Sequence, residues 1–497
     1  MKQALMVVGA TSHAGKSLLC AALCRMLSRR GWRVSPFKGQ NMALNAYVTD
    51  TGHEIGYAQA VQAWAAGIEP TVEMNPILLK PQGDMTSQVI LNGKAVGRTQ
   101  AQQYYEQYFD RGWEAIKAAL ATLSQSYDYI VCEGAGSPAE INLMHRDLTN
   151  MRVAQYLNAP TLLVVDIERG GSFAHIIGTL EILKYANAGH HLIKGLLINK
   201  FRGQQAILQP GIQWVENYTG IPVVGVIPYL QQVFPAEDSL DLLERRGRKR
   251  NTDLTIAILH LPKISNFTDF DPLEAETSIN LRYVRPEDDL GKPDAVIIPG
   301  SKTTIADLQV LQGTGMATAL NAYFQQGGVI FGICGGFQML GETLRDPDGL
   351  EGEAGDYTGL GLFPLETVIT GEKVTRQREV KALFPDSNTA ITGYEIHQGR
   401  TGFTSQVETL MPLFEDQELG FVNQARSLWG CYLHGLFENG SWRRQWLNLL
   451  RDKKGLSPLE TNVPHHRQQR EEVLDAVTDV IEKHLDLSPL LKNGDRV

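Results

Sequence analysis

The chain has 497 residues, with 46 basic and 55 acidic side chains, a formal net charge of −9 and 43% hydrophobic residues. That length sets a prior of about three domains, and the composition is that of an ordinary globular protein. The acidic balance argues against a nucleic-acid partner, no apolar run approaches the ~18 residues of a membrane span, and five cysteines without a C-x-x-C pair argue against a disulfide framework or a zinc site.

Ala4 to Val8 is an apolar run of the kind found in buried parallel strands. Gly9-Ala10-Thr11-Ser12-His13-Ala14-Gly15-Lys16-Ser17 follows, and then Leu18, Leu19, Ala22, Leu23, Met26 and Leu27 recur at helical spacing. Strand, glycine loop and helix together predict a phosphate-binding loop. Gly9, Thr11, Ala14 and Gly15 would wrap the anion with backbone N–H groups, Lys16 adds a positive charge, and the Ser17 hydroxyl can reach Mg²⁺. Five residues separate Gly9 from Gly15, one more than the usual pattern.

Val34 to Phe37 reads as a second strand, followed by Lys38 and by Gln40, Asn41 and Asn45, whose amides suit substrate contacts or a polar surface loop. Glu54 to Ala66 reads as a helix, Asn75 to Lys80 and Ser87 to Leu91 as short extended pieces, and Thr99 to Leu123 as a long helix broken near Gly112. Tyr129 to Cys132 is a strand that ends in Glu133 and a Gly134-Ala135-Gly136 turn, where open α/β sheets bind ligands. Thr161 to Val165, ending in Asp166, repeats the pattern, and Gly195–Ile198 and Val223–Ile227 supply two more strands. The alternation predicts a doubly wound, mostly parallel sheet over residues 1–240. Cys20, Cys24 and Cys132 fall in helix or strand interiors and read as packing residues.

Residues 241–252, with the basic run Arg245 to Arg250, read as a linker. Leu254–Leu259, Ala295–Ile298, Val329–Phe331 and Leu428–Leu433 restart an α/β pattern over residues 253–450. The third of these strands runs into Gly332-Ile333-Cys334-Gly335-Gly336, a nucleophile elbow, with Cys334 at a helix N-terminus that favours the thiolate. The N–H of Gly335 and one from the Gly300–Ser301 loop would form an oxyanion hole. A thiol nucleophile needs a base; His434, at the end of Leu428–Leu433, is one candidate, and His397 is its rival. Residues 451–497 read as a tail with an amphipathic helix over Glu471–Leu485 and a frayed end around Asn493-Gly494-Asp495.

These motifs carry a resemblance. The spacing of Gly9 and Gly15, Lys38, Glu54 and Glu133-Gly134-Ala135-Gly136 resemble the dethiobiotin synthetase type of P-loop ATPase. That likeness implies ATP bound with Lys38 at the site, and Mg²⁺ held by Ser17, Glu54 and Glu133. The second half resembles a class I glutamine amidotransferase of the flavodoxin-like, Cys–His type. In many such domains a glutamate stands two residues after the histidine; here that position is Leu436 and the nearest acid is Glu438. The two halves in series, with Gln40-Asn41-Met42-Ala43-Leu44-Asn45, Asn199-Lys200-Phe201-Arg202-Gly203 and Gly393-Tyr394-Glu395-Ile396-His397, resemble the cobyric acid synthase family of the cobalamin pathway. The cysteine usage fits a reducing cytoplasm, and the resemblance implies a ligase without a prosthetic group. It would amidate the b, d, e and g carboxylates of adenosylcobyrinic acid a,c-diamide, taking nitrogen from glutamine and energy from ATP. No lysine lies between Gly9 and Gly15, which separates the loop from those of partitioning ATPases.

Overall fold

The structure, a computed structural model, describes residues 3–83, 86–230, 252–404 and 410–491. Its contacts divide the chain into two units. One comprises Met1–Ala43, Glu54–Phe234 and Arg470–Val497, the other Leu44–His53 and Pro235–Gln469.

The first unit is built on a six-stranded parallel sheet. Its strand order is Val223–Pro228, Ile193–Phe201, Thr161–Asp166, Gln3–Gly9, Tyr129–Glu133, Val34–Phe37. Both faces are covered, so the central strands are continuous apolar runs rather than alternating ones. Met6, Val8, Ile130, Cys132, Leu163, Val165 and Ile198 are all buried. Because every pairing is parallel, the loops after these strands emerge at one edge, and the residues expected to bind ligand follow strand ends there.

Two local expectations change. The helix expected from Glu54 begins at Tyr57, after a short strand Glu54–Gly56. Gly56 N donates to Asn75 Oδ1 at 2.9 Å, which keeps the preceding residues extended. The long helix runs unbroken from Ala101 to Ser126. Gly112 does not interrupt it. A β-carbon there would stand 2.9 Å from Ile77 Cδ1, so the glycine serves a close helix–strand approach.

The second unit has a seven-stranded sheet. Ile279–Val284, Leu254–Leu259, Ala295–Ile298, Ile330–Ile333 and Leu428–Cys431 are parallel, and Gly420–Asn423 and Leu410–Pro412 add an antiparallel edge. A long antiparallel hairpin, Leu365–Ala382 with Thr389–Phe403, belongs to a smaller four-stranded sheet and carries His397.

The contact grouping differs from the expected boundaries in two places. Leu44–His53 groups with the second unit although the sequence surrounds it with the first. The C-terminal helix spans His466–His484, and from Arg470 the chain groups with the first unit. Leu474, Val477 and Ile481 bury its apolar stripe, and Arg25 and Arg29 pair with Glu471, Asp475 and Asp479. The expected linker lies outside the described residues except for Thr252, as do the Arg245–Arg250 run and Asn493–Asp495.

Candidate active site

In the P-loop unit, Gly15 takes φ 92°, a left-handed conformation suited to glycine, and a β-carbon on it would stand 2.3 Å from Asn199 Nδ2. The same Asn199 amide donates to Ala14 O at 2.8 Å. Lys200 Nζ donates to His13 O at 2.8 Å and pairs with Asp166 at 2.9 Å. The loop is thus braced by the ends of two neighbouring strands. Lys16 Nζ, buried, reaches the carbonyls of Gly136 at 3.3 Å and Thr11 at 3.5 Å.

Glu133 is the hub. Its Oε1 accepts from Ser17 Oγ at 2.7 Å and from Lys38 Nζ at 2.8 Å, while Oε2 accepts from Gln62 Nε2 at 2.6 Å. A buried carboxylate survives without water only when charge and hydrogen bonds are supplied in this way. Gln59 also reaches Glu133, at 3.4 Å, and Asn41 Nδ2 donates to Gln59 Oε1. Glu54, expected beside Ser17 and Glu133, forms a buried ion pair with Lys80 at 2.6 Å. Among the described residues no group of three His, Cys, Asp or Glu side chains is arranged to hold a metal. The Ser17 hydroxyl and the Glu133 carboxylate are nevertheless hard oxygen donors at hydrogen-bond distance, a set that fits Mg²⁺ completed by water and phosphate oxygens.

A cavity of about 240 Å³ adjoins this array, lined among others by Gln40, Met42, Gly136, Leu143, Arg146 and Asn150. Gln40 accepts from Tyr104 OH at 2.6 Å, and Met42 is 61% exposed. Asn45 does not join them. It is buried in the other unit, where its Oδ1 accepts from Phe267 N at 2.9 Å.

In the second unit, Cys334 follows the strand Ile330–Ile333 with φ 50° and ψ −108°, a conformation that L-residues rarely hold. Small neighbours permit it: a β-carbon on Gly336 would stand 2.0 Å from Ile298 O. His434 follows the adjacent strand, and its Nδ1 meets Asp269 Oδ2 at 2.7 Å, while Asp269 Oδ1 accepts from Gly435 N at 2.9 Å. Burial alone would lower the imidazole's proton affinity. The charges of Asp269 and Cys334, with hydrogen bonds to both, outweigh it, and His434 is pushed up from 6.5 to about 10.

Gly300 and Ser301 come to the same place. A β-carbon on Gly300 would lie 3.2 Å from His434 Cε1, and one on Gly335 would lie 2.8 Å from Ser301 N. Ser301 Oγ donates to Asp307 at 2.6 Å; burial pushes Asp307 up to about 7, against the hydrogen bonds it accepts from Ser301 and Lys263 N. The rival base His397 is engaged elsewhere, with Nδ1 at 2.9 Å from Gly399 O and Nε2 at 3.1 Å from Glu395. Glu438 lies 3.9 Å from His465 Nδ1. Cys20, Cys24 and Cys132 are fully buried, and burial pushes all three thiols up, which suits packing rather than chemistry.

Sequence reasoning missed Asp269, Lys80 and the Gln59–Gln62 pair. Two amides at helical spacing in the otherwise apolar run Tyr57–Ala65 were a readable signal. Asp269 had none, since it sits between Phe267 and Phe270 and meets His434 across 165 residues.

Each array lies at the carboxyl edge of a parallel sheet, and each sheet falls within a stretch that matches a known protein family. Residues 3–237 match a family described as an AAA domain, and residues 255–442 match the CobB/CobQ-like glutamine amidotransferase domain. The class is therefore a P-loop ATPase joined to a glutamine amidotransferase, a glutamine-dependent amide ligase. A cobyric acid synthase from Nostoc sp. is 63% identical over 98% of this chain and 99% of its own length. Those from Trichormus variabilis and Trichodesmium erythraeum are 62% and 63% identical over 98% of this chain and 100% of theirs. The chain belongs to the cobyric acid synthase family. Membership places it in cobalamin biosynthesis, with glutamine and a corrinoid as substrates and a P-loop for ATP. No helix of the described residues is long and apolar enough to cross a membrane.

Proposed function

We propose that the chain converts the b, d, e and g carboxylates of adenosylcobyrinic acid a,c-diamide into amides, one ATP and one glutamine per amide. The observation that carries the division of labour is the pairing, in one chain, of Ser17–Glu133–Lys38 beside the P-loop lysine with Asp269–His434 beside Cys334.

Cys334 Sγ attacks the glutamine amide carbon, and backbone N–H groups of Ser301 and Gly335 receive the oxyanion. His434, held by Asp269 and charged, gives its proton to the departing ammonia; water then hydrolyses the thioester to glutamate, with His434 as base. In the P-loop unit a substrate carboxylate oxygen attacks the γ-phosphorus of ATP, ADP leaves, and ammonia displaces phosphate from the acyl phosphate. Lys16 neutralises charge on the transferring group. Ser17 and Glu133 would hold Mg²⁺, which would supply charge stabilisation to the transferring phosphoryl group, while Glu54 stays paired with Lys80. Lys38 orients Glu133 through its 2.8 Å contact to Oε1. The cavity beside Gly136 supports a site for one carboxylate-bearing arm: Arg146 brings a positive charge, Gln40 and Asn150 bring amides, and exposed Met42 and Leu143 offer apolar surface to the ring.

The test is to incubate the protein with ATP, Mg²⁺, glutamine and the diamide, then resolve products by ion exchange and mass. Each step removes one titratable carboxylate, so four successively less anionic corrinoids are expected. If a panel of corrinoids yields no amidated product, the substrate assignment fails.

A further inference from the structure

We propose that Leu44–His53, a segment drawn from the P-loop half of the sequence, is a positioning element of the glutaminase that secures the supports of His434 on both sides. The inference rests on the reading of Cys334, His434 and Asp269 as the glutaminase.

On one side, this segment, a tongue between Ala43 and Glu54, exchanges hydrogen bonds with the turn that carries Asp269. Asn45 Oδ1 accepts from Phe267 N at 2.9 Å, and Ala46 N donates to Asn266 Oδ1 at 3.2 Å. Asn266 stands at φ 52°, in the left-handed region that asparagine tolerates, and its carbonyl accepts from Asp269 N at 3.0 Å. The reciprocal pair therefore fixes the turn from which Asp269 reaches Nδ1 of His434. On the other side, Tyr394 OH donates to Ala46 O at 3.1 Å. The Tyr394 ring stacks on His434, with centroids 5.4 Å apart and planes 23° apart, and the two residues exchange backbone hydrogen bonds of 3.1 and 2.9 Å.

Two consecutive residues, Asn45 and Ala46, thus hold both supports of the base. The rest of the tongue is fastened to the long hairpin: Thr375 Oγ1 donates to Gly52 O at 2.9 Å, Gln377 donates to Val48 O, and Tyr47 packs edge-on against Tyr394. Asn45 is 3% exposed, so loss of its oxygen would leave the Phe267 N–H buried without that acceptor. The ends of the segment run into Ala43 and Glu54 of the P-loop unit. The glutaminase is therefore completed by a loop that the other half of the sequence supplies.

The full-length variants Asn45→Ala and Asn45→Asp test this, since aspartate keeps an oxygen where Phe267 N needs one. Glutaminase is measured without corrinoid, and ammonium-supported amidation is measured separately. Asn45→Ala is expected to lower the glutaminase kcat about tenfold with KM within about twofold, and Asn45→Asp to recover to within about threefold. The groups facing the imidazole are Asp269, Cys334 and Tyr394. Loosening Asp269 weakens its hold on the proton, so the pH–rate profile of Asn45→Ala should move to lower pH. Tyr394→Phe, which keeps the ring and loses only the hydroxyl, should lower kcat about fivefold. Ammonium-supported amidation by Asn45→Ala should stay within about twofold of the unaltered protein. Wild-type kcat and pH profile in Asn45→Ala, a change confined to KM, or an equal loss with ammonium would each overturn the tongue's role. Absence of glutaminase in the unaltered protein would overturn the tongue together with the Cys–His–Asp reading.

Discussion

His434 carries the most information of any single side chain here. It is 1% exposed, yet it holds a proton up to about pH 10 because Asp269 and Cys334 outweigh desolvation. A group whose folded pKa lies above its unfolded value takes up protons on folding. Its contribution to stability is therefore complete below 6.5 and is lost as pH rises through about 10. The thermal unfolding midpoint should fall across that window. In Asp269→Asn the slope should flatten, because the carboxylate that raises His434 is gone. The same variant should lower glutaminase kcat by on the order of 10²–10⁴, since an asparagine leaves the imidazole without the charge and tautomer control that its partner supplies. A slope unchanged by Asp269→Asn would assign the raised proton affinity to other groups.

At the scale of elements, helices and strands do two different jobs. The parallel strands deliver functional residues to a sheet edge, and their apolar runs made most of them readable from local pattern. The long hairpin Leu365–Phe403 and the tongue Leu44–His53 were not readable in that way. Their residues mix threonine, charge and glycine without a sustained period, and their placement depends on partners far along the chain. The C-terminal helix lies between these cases: its apolar stripe was visible, but not its partner. Two kinds of contact hold it, and their sizes differ. Leu474 is 1% exposed, so Leu474→Ala should cost about 2–5 kcal/mol through lost burial and a residual cavity. Arg29 pairs with Asp475 and Asp479 at a half-exposed surface, so Arg29→Ala should cost at most about 1 kcal/mol and less in high salt. Thermal unfolding of the full chain compares the two. A larger loss from Arg29→Ala would mean that the helix is held by its ion pairs.

At the scale of the whole molecule, the P-loop and the cysteine elbow were legible because each is contiguous in sequence and dictated by local stereochemistry. Their partners were legible only where they too followed a strand, as Glu133 and His434 do. Asp269, Lys80 and the tongue were set by packing across long sequence separations, which leaves no local trace. The division of labour between the P-loop and the cysteine elbow predicts how nitrogen and phosphate chemistry separate. Cys334→Ala should abolish glutamine-dependent amidation, because no other side chain of the elbow can form the thioester. It should retain amidation with ammonium salts, and more so at mildly alkaline pH, because only unprotonated ammonia attacks an acyl phosphate. Lys16→Ala should lose both activities, since phosphoryl transfer precedes attack by either nitrogen source. Loss of one such charge-stabilising contact costs on the order of 10²–10³ in rate. Glu133→Gln should side with Lys16→Ala and leave glutaminase intact, because it removes a carboxylate shared by Ser17 and Lys38 without touching Cys334. The four combinations of Cys334→Ala and Lys16→Ala with glutamine or ammonium, read as corrinoid amide formed per unit time, decide the matter. A Cys334→Ala protein equally inactive with ammonium would place the cysteine in the synthetase chemistry and overturn the two-centre reading.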